Sequence, residues 1–211
     1  MRTRALLILS STLLIAPPLA WAIPGDTLGD GGSAPAAAPS VQDSTTYNDA
    51  LALMKKGDAL GTQPGAHDAY ASARAKLQSL VGRSPQFAEA WNSLGYTQRK
   101  LGSYDDSLAS YARALDLKPG YPEALEYRGE AYLRLNRLHD AKQAYLDLFA
   151  KNRTIAATLL ESMKVWIKAQ QGARTVDADE LTDLQQWVQE RSQIATQTAG
   201  LTREGTAASW R

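Results

Sequence analysis

The chain has 211 residues, 44% of them apolar, with 23 basic against 22 acidic side chains, two histidines and no cysteine. That length and apolar content suit one domain of ordinary size with a lined core. The near-neutral balance leaves no global field to draw the chain onto nucleic acid or anionic lipid. The lack of cysteine excludes disulfides, thiol nucleophiles and thiolate metal sites.

Residues 1–22 read as a secretory signal peptide. Arg2 and Arg4 give a positive start, Ala5 to Ala16 is a short apolar run, and Leu19-Ala20-Trp21-Ala22 places small residues where a signal peptidase reads. Spanning a bilayer takes roughly 20 residues, and Pro17-Pro18 interrupts the run before that length is reached. A cut after Ala22 is therefore expected, with no stable membrane insertion afterwards. It would remove two bases and no acid, leaving 21 basic against 22 acidic residues. Separated arginines give the twin-arginine route no support, and a lipid anchor would need a cysteine at the cut. Residues 23–43, with Gly25, Gly29, Gly31-Gly32, Pro35 and Pro39, lack any period and read as a disordered tether.

From residue 44 a 34-residue period takes over: Trp91 falls on Leu125, Gly95 on Gly129, Tyr111 on Tyr145 and Ala114 on Leu148. A first, degenerate unit covers 44–87. Its first helix carries Tyr47, Leu51 and Met54, and its second, about 67–82, carries Tyr70, Ala73, Leu77 and Leu80 in register, closed by Pro85. Between them Gly61-Thr62-Gln63-Pro64-Gly65 is an insertion within the 59–66 connection. The second unit is 88–121 and the third 122–153. Gly95 and Ala141 are expected where two helices of a hairpin come close, and Tyr111 and Tyr145 between one hairpin and the next. Gly102 suits the left-handed conformation that ends a helix. Pro119 turns the chain by forcing Lys118 out of helical geometry. Gln98 and Ser107 stand where the next unit has Tyr132 and Ala141.

Beyond the repeats, Ile155, Leu159, Met163, Trp166 and Ile167 mark one side of a helix over 154–171, and Gly172 is its stop. Asp177 with Glu180 reads as a capping box for a last helix, striped by Leu181, Leu184, Val188 and Ala195, with Trp187 and Ile194 beside them. The two helices, 154–198, are expected to cap the stack. Residues 199–211 read as a flexible tail.

The slots Trp91, Leu94, Gly95, Gly102, Tyr111, Ala114 and Pro119 resemble the tetratricopeptide repeat family over about 44–153. The runs Asn92-Ser93-Leu94-Gly95-Tyr96 and Ala124 to Glu130 further resemble small exported repeat proteins of Gram-negative bacteria. The resemblance implies an all-α fold: a right-handed α-solenoid of antiparallel helix pairs, about three units and two capping helices. It also implies a scaffold that holds a protein or peptide on the concave face of its first helices, here in the periplasm. The inward slots are Asn92, Tyr96, Arg99 and Lys100 in one unit, and Glu126, Tyr127, Glu130 and Arg134 in the next. Tyrosine and arginine are favoured at protein interfaces, although charged helix faces are more often simply solvated. The carboxylate clamp of chaperone-binding relatives is not matched, because its slots hold Ser93, Glu123 and Tyr127. Arg128 occupies a slot that in the family is leucine and should snorkel to water.

No enzyme, cofactor or metal is expected. His67 and His139 are far apart, each opening a helix, and no HExxH, phosphate loop or nucleophile elbow is present. The alternative roles are a self-associating structural component of the cell envelope, joined as a homo-oligomer through the stack ends, or an envelope-assembly factor binding peptide or glycan.

Overall fold

The computed structural model describes residues 39–173 and 175–207, the last ten by backbone alone. The predicted signal segment and most of the predicted linker lie outside the described residues. The described residues form eight α-helices: α1 (Val41–Leu60), α2 (Ala66–Arg83), α3 (Ala88–Lys100), α4 (Tyr104–Leu117), α5 (Pro122–Arg134), α6 (Leu138–Lys151), α7 (Arg153–Gln170) and α8 (Ala178–Ala207). Each odd helix pairs with the even helix that follows it. The odd helices also touch one another in sequence, α1 on α3, α3 on α5 and α5 on α7. They form one layer of an all-α solenoid of helix pairs. None of these helices is long and apolar enough to cross a membrane.

The local signals place the turns. Gly102 ends α3 at φ +81°, and Asn136, one repeat later, takes φ +57° after α5. Asparagine is the other residue that tolerates this left-handed conformation, because its short side chain costs little there. Lys118, before Pro119, leaves helical geometry at φ −135°, ψ 80°. At Gly95 a Cβ would lie 2.6 Å from Cε1 of Tyr111, so α3 and α4 approach as closely as they do only because that side chain is absent.

The apolar core falls into two clusters. One joins Ala50, Leu77, Leu80, Val81, Ala90 and Leu94 across α1–α3. The larger runs from Leu125 to Val188 and includes Leu148, Leu159, Met163, Trp166 and Leu184. Thus α7 and α8 bury the open end of the repeat array. Between the clusters the interior mixes Tyr111 and Ala114 with polar side chains: Thr97, Gln98, Ser107 and Ser110 are all buried. The Gln98 side-chain amide meets the Ser110 hydroxyl at 2.6 Å, and Ser107 Oγ donates to the Tyr104 carbonyl at 2.7 Å. The two departures from the repeat pattern are therefore internally bonded substitutes for an apolar ring and methyl.

Three local details differ from the sequence reading. First, α1 begins at residue 41, inside the stretch assigned to the linker. Ser40 Oγ accepts from the Asp43 amide at 3.1 Å. Asp43 in turn accepts from Ser84 Oγ at 2.7 Å and pairs with Arg83, which anchors the start of α1 to the end of α2. Second, Leu51 is 36% exposed, while Ala50 is fully buried. The helices close on small residues, Ala50 and Gly57, which rotates the neighbouring leucine outward. Third, α8 continues to Ala207, through the stretch read as a flexible tail. Gly200 costs such a helix only about 1 kcal/mol, and no proline stops it.

Candidate functional site

The inward positions of α3 and α5 form a connected polar and aromatic cluster. Tyr96 Oη donates to Asp58 Oδ1 at 2.5 Å, and Tyr70 Oη donates to the same oxygen at 2.6 Å. Lys100 Nζ stands 3.4 Å from it. Burial works against an ionised Asp58, but the two tyrosine donors and Lys100 outweigh it and hold the carboxyl below its usual range. One carboxylate near the end of α1 therefore ties the degenerate unit to the second one.

Arg99 is the centre of the second half of the cluster. Its side chain keeps only 12% of its exposure, and Nη1 pairs with Glu130 Oε2 at 2.6 Å. Its guanidinium lies 5.3 Å from the Tyr96 ring centre and 5.4 Å from that of Tyr127, and these two rings meet edge-on at 5.2 Å. The other Glu130 oxygen accepts from Ser162 Oγ of α7 at 2.6 Å. A desolvated guanidinium held by a carboxylate and two aromatic faces is rigid.

The eight sequence-predicted residues therefore have different roles in the fold. Tyr96, Arg99, Lys100, Tyr127 and Glu130 converge and bond largely to one another and to Asp58. Arg134 is exposed and lines a cleft with Arg99 and Glu130. Asn92 and Glu126 are buried, at 7% and 9% exposure. Glu126 has no hydrogen-bonded cation. Burial first, then Glu130, push its carboxyl up to about 7, against the pull of Arg99. Arg128, outside the strip, is half-buried with Nε shielded from water and unpartnered.

The raised Glu126 value has a pH consequence. The folded chain holds this proton more tightly than the unfolded one, so the stabilisation is complete below about 4.5 and is lost as pH rises through about 7. Replacing Glu126 by Gln should remove that part of the pH dependence. Thermal melts at pH 5 and pH 8 should show the wild type losing stability relative to Glu126→Gln. A constant difference between the two proteins would contradict a buried, protonated Glu126.

Residues from outside the repeats complete the surface. A cleft of about 320 Å³ lies between α5 and α7, lined by Arg99, Glu130, Leu133, Arg134, Glu161, Ser162, Val165 and Trp166 among others. Val165 is 71% exposed there, while Trp166 beside it is buried at 6%. The apolar spacing of α7 had shown only its buried side. Its opposite side, with Glu161, Ser162 and Val165, reaches the cleft because α7 stands next to α5 as α5 stands next to α3.

Of the slots that lack the carboxylate clamp, Ser93 is buried and meets the Tyr47 hydroxyl at 3.2 Å, while Tyr127 is packed against Arg99. Both histidines are exposed, each 3.8 Å from the aspartate that follows it. Among the described residues no three His, Cys, Asp or Glu side chains are grouped so as to hold a metal.

Helix pairs stacked on a 34-residue period, with a continuous face on their first helices, define a repeat scaffold. Residues 65–122 and 96–153 match the tetratricopeptide repeat family, and the chain is a tetratricopeptide-repeat protein. It is similar to the chloroplastic tetratricopeptide repeat domain-containing protein PYG7 of Arabidopsis thaliana, 28% identical over 47% of this chain. The chain spans about a third (34%) of that relative's length. Among solved structures, the second tetratricopeptide domain of human RPAP3, in complex with the HSP70 peptide SGPTIEEVD, is 19% identical, covering 56% of this chain and 98% of that one, with a TM-score of 0.44. MamA is 18% identical, covering 73% of this chain and 84% of that one, with a TM-score of 0.45.

Proposed function

We propose that this protein is an exported scaffold that holds a segment of another polypeptide along its inner helices, without chemistry of its own. The observation that carries this reading is the cleft beside α7. An exposed valine, Val165, stands among Leu133, Arg134, Glu161 and Ser162, which gives one apolar contact framed by polar groups. Peptide grooves have that composition, since apolar area supplies affinity and the polar frame supplies register. The tyrosines of the strip act chiefly as its rigid wall, because Tyr96 and Tyr127 are already packed on Arg99. Export rests on the sequence of residues 1–22 alone, and with it the periplasmic location.

Photo-crosslinking in the producing cell tests the reading. A benzoylphenylalanine placed at Val165 should give discrete adducts with another polypeptide. The same group at Ala109, on α4, should give none. Mass spectrometry of the adducts should find the chain beginning at Ile23. Equal labelling from both positions, or none from Val165, would overturn the groove, and a chain retaining Met1 would overturn the export.

A further inference from the structure

Each helix pair in this stack leaves a groove, and the first helix of the next pair fills it. Thus α3 touches α1 and α2, α5 touches α3 and α4, and α7 touches α5 and α6. Among the described residues no helix follows the last pair, α7 and α8. Its groove, of about 530 Å³, is lined from both helices. The floor is apolar, formed by Ile167 of α7 and Val188 of α8, both members of the larger core cluster.

The rim sets the chemistry of what fits. Lys164 and Lys168 stand one turn apart on α7, and no Asp or Glu is among the described residues that line the groove. Lys164 is paired with Glu161 at 2.7 Å. Lys168, exposed in the last turn of α7, has no ion pair or hydrogen bond among the described residues. The same holds for the side-chain amides of Gln171, Gln185 and Gln189. Those amides can donate or accept, so the lysines decide the sign of the partner. We propose that the α7–α8 groove, at the end of the solenoid, docks an amphipathic helix of another polypeptide, with Asp or Glu one turn apart beside its apolar stripe. A helix is the shape that fills the three earlier grooves of this fold. Its apolar stripe meets Ile167 and Val188, and its carboxylates meet the lysine rim. This surface is separate from the cleft beside Val165 and does not depend on it.

A second copy of this chain is the rival occupant, since imperfectly capped repeat arrays can stack end to end. Its end helix would be α1, which in register runs parallel to α7. The three acids of α1 are already engaged: Asp43 by Arg83, Asp49 by Lys76, and Asp58 by Tyr70, Tyr96 and Lys100. Lys55 and Lys56, exposed near the C-terminal end of α1, would approach Lys168 with the same sign of charge. Like charges brought together oppose docking. The rim therefore selects a partner that brings free carboxylates.

The test is a phage-displayed library of helices of 18 residues, the length of α7, with a fixed leucine and alanine stripe and randomised flanks, selected on the full chain. Selected helices should carry Asp or Glu at i and i+4. Their affinity should fall about tenfold in Lys168→Glu, the scale of exchanging one charge-assisted contact for a like-charge one. It should be retained in Lys168→Arg and in Val165→Arg, and a benzoylphenylalanine at Gln185 should crosslink to the bound helix. Lys168 and Val165 are both exposed, so circular dichroism should find all three variants folded as wild type. Helices selected without an acidic preference, affinity unchanged in Lys168→Glu, or no selected helix at all would overturn the inference. So would chains that associate in light scattering and separate when the selected helix is added, since the groove would then belong to a second copy. Binding lost in Val165→Arg and kept in Lys168→Glu would put the acidic helix in the inner cleft, overturning this inference while supporting the groove reading.

Discussion

Replacing Glu130 by Leu should destabilise the protein by about 3–5 kcal/mol, the range for stripping one partner from a buried ion pair. Arg99 retains 12% of its side-chain exposure and would be left as a charge without its ion-paired carboxylate. Its Nε already has no hydrogen-bond partner, so little else is available to solvate it. Glu130→Leu also removes the acceptor for Ser162 Oγ, which links α7 to α5. The melting temperature should fall by about 6–20 °C for a domain of this size. Removing the charge as well should recover most of the loss, since Arg99→Met with Glu130→Leu leaves two apolar side chains against Tyr96 and Tyr127. Urea unfolding of the two single variants and the double variant measures this. A double variant as unstable as Glu130→Leu alone would show that the stranded charge is not the cause.

Gly95→Ala should cost about 1–2 kcal/mol, although alanine is the better helix former by about 1 kcal/mol. The new Cβ would stand 2.6, 2.7 and 3.0 Å from three atoms of the Tyr111 ring. Tyr111 is fully buried and lies 6.3 Å, centre to centre, from Tyr127, so the ring has little room to retreat. Overpacking of this kind costs about 1–3 kcal/mol, which exceeds the propensity gain. The control is Gly82→Ala in α2, where nothing lies within 4 Å of the added atom. That change should be neutral or stabilise by about 0.5 kcal/mol, through the unfolded chain alone. A loss at Gly95→Ala with none at Gly82→Ala in one denaturation series would establish the close approach of α3 and α4. A Gly95→Ala protein at least as stable as wild type would refute it.

The repeat array could be read from the chain because its constraints are local and recur. A glycine where helices touch, a left-handed residue at 102 and again at 136, and a proline at 119 each act within one hairpin, and the 34-residue step lays the hairpins side by side. The same step pointed eight side chains inward. What it could not show is which of them remain available to a partner. Asp58 joins the strip from an irregular unit, 38 residues before Tyr96, across an insertion that breaks the register. Once it is there, Tyr96 is bonded and Lys100 is paired. Arg99 and Glu130 neutralise each other because adjacent inner helices bring their side chains to 2.6 Å. On α7, the apolar period disclosed the residues facing the core and was silent about Val165, since an exposed valine leaves no periodic trace.

The sequence by itself determined the helix pairs, their order and the layer that faces inward, since hairpin geometry depends on residues a few positions apart. The tertiary structure alone decided burial and pairing among the inward side chains, because desolvation and charge compensation depend on neighbours that the 34-residue step does not specify. That is why Asn92 and Glu126, two ordinary polar residues in a helical pattern, turn out to be buried, with Asn92 Oδ1 left without a donor and the Glu126 carboxyl pushed up to about 7.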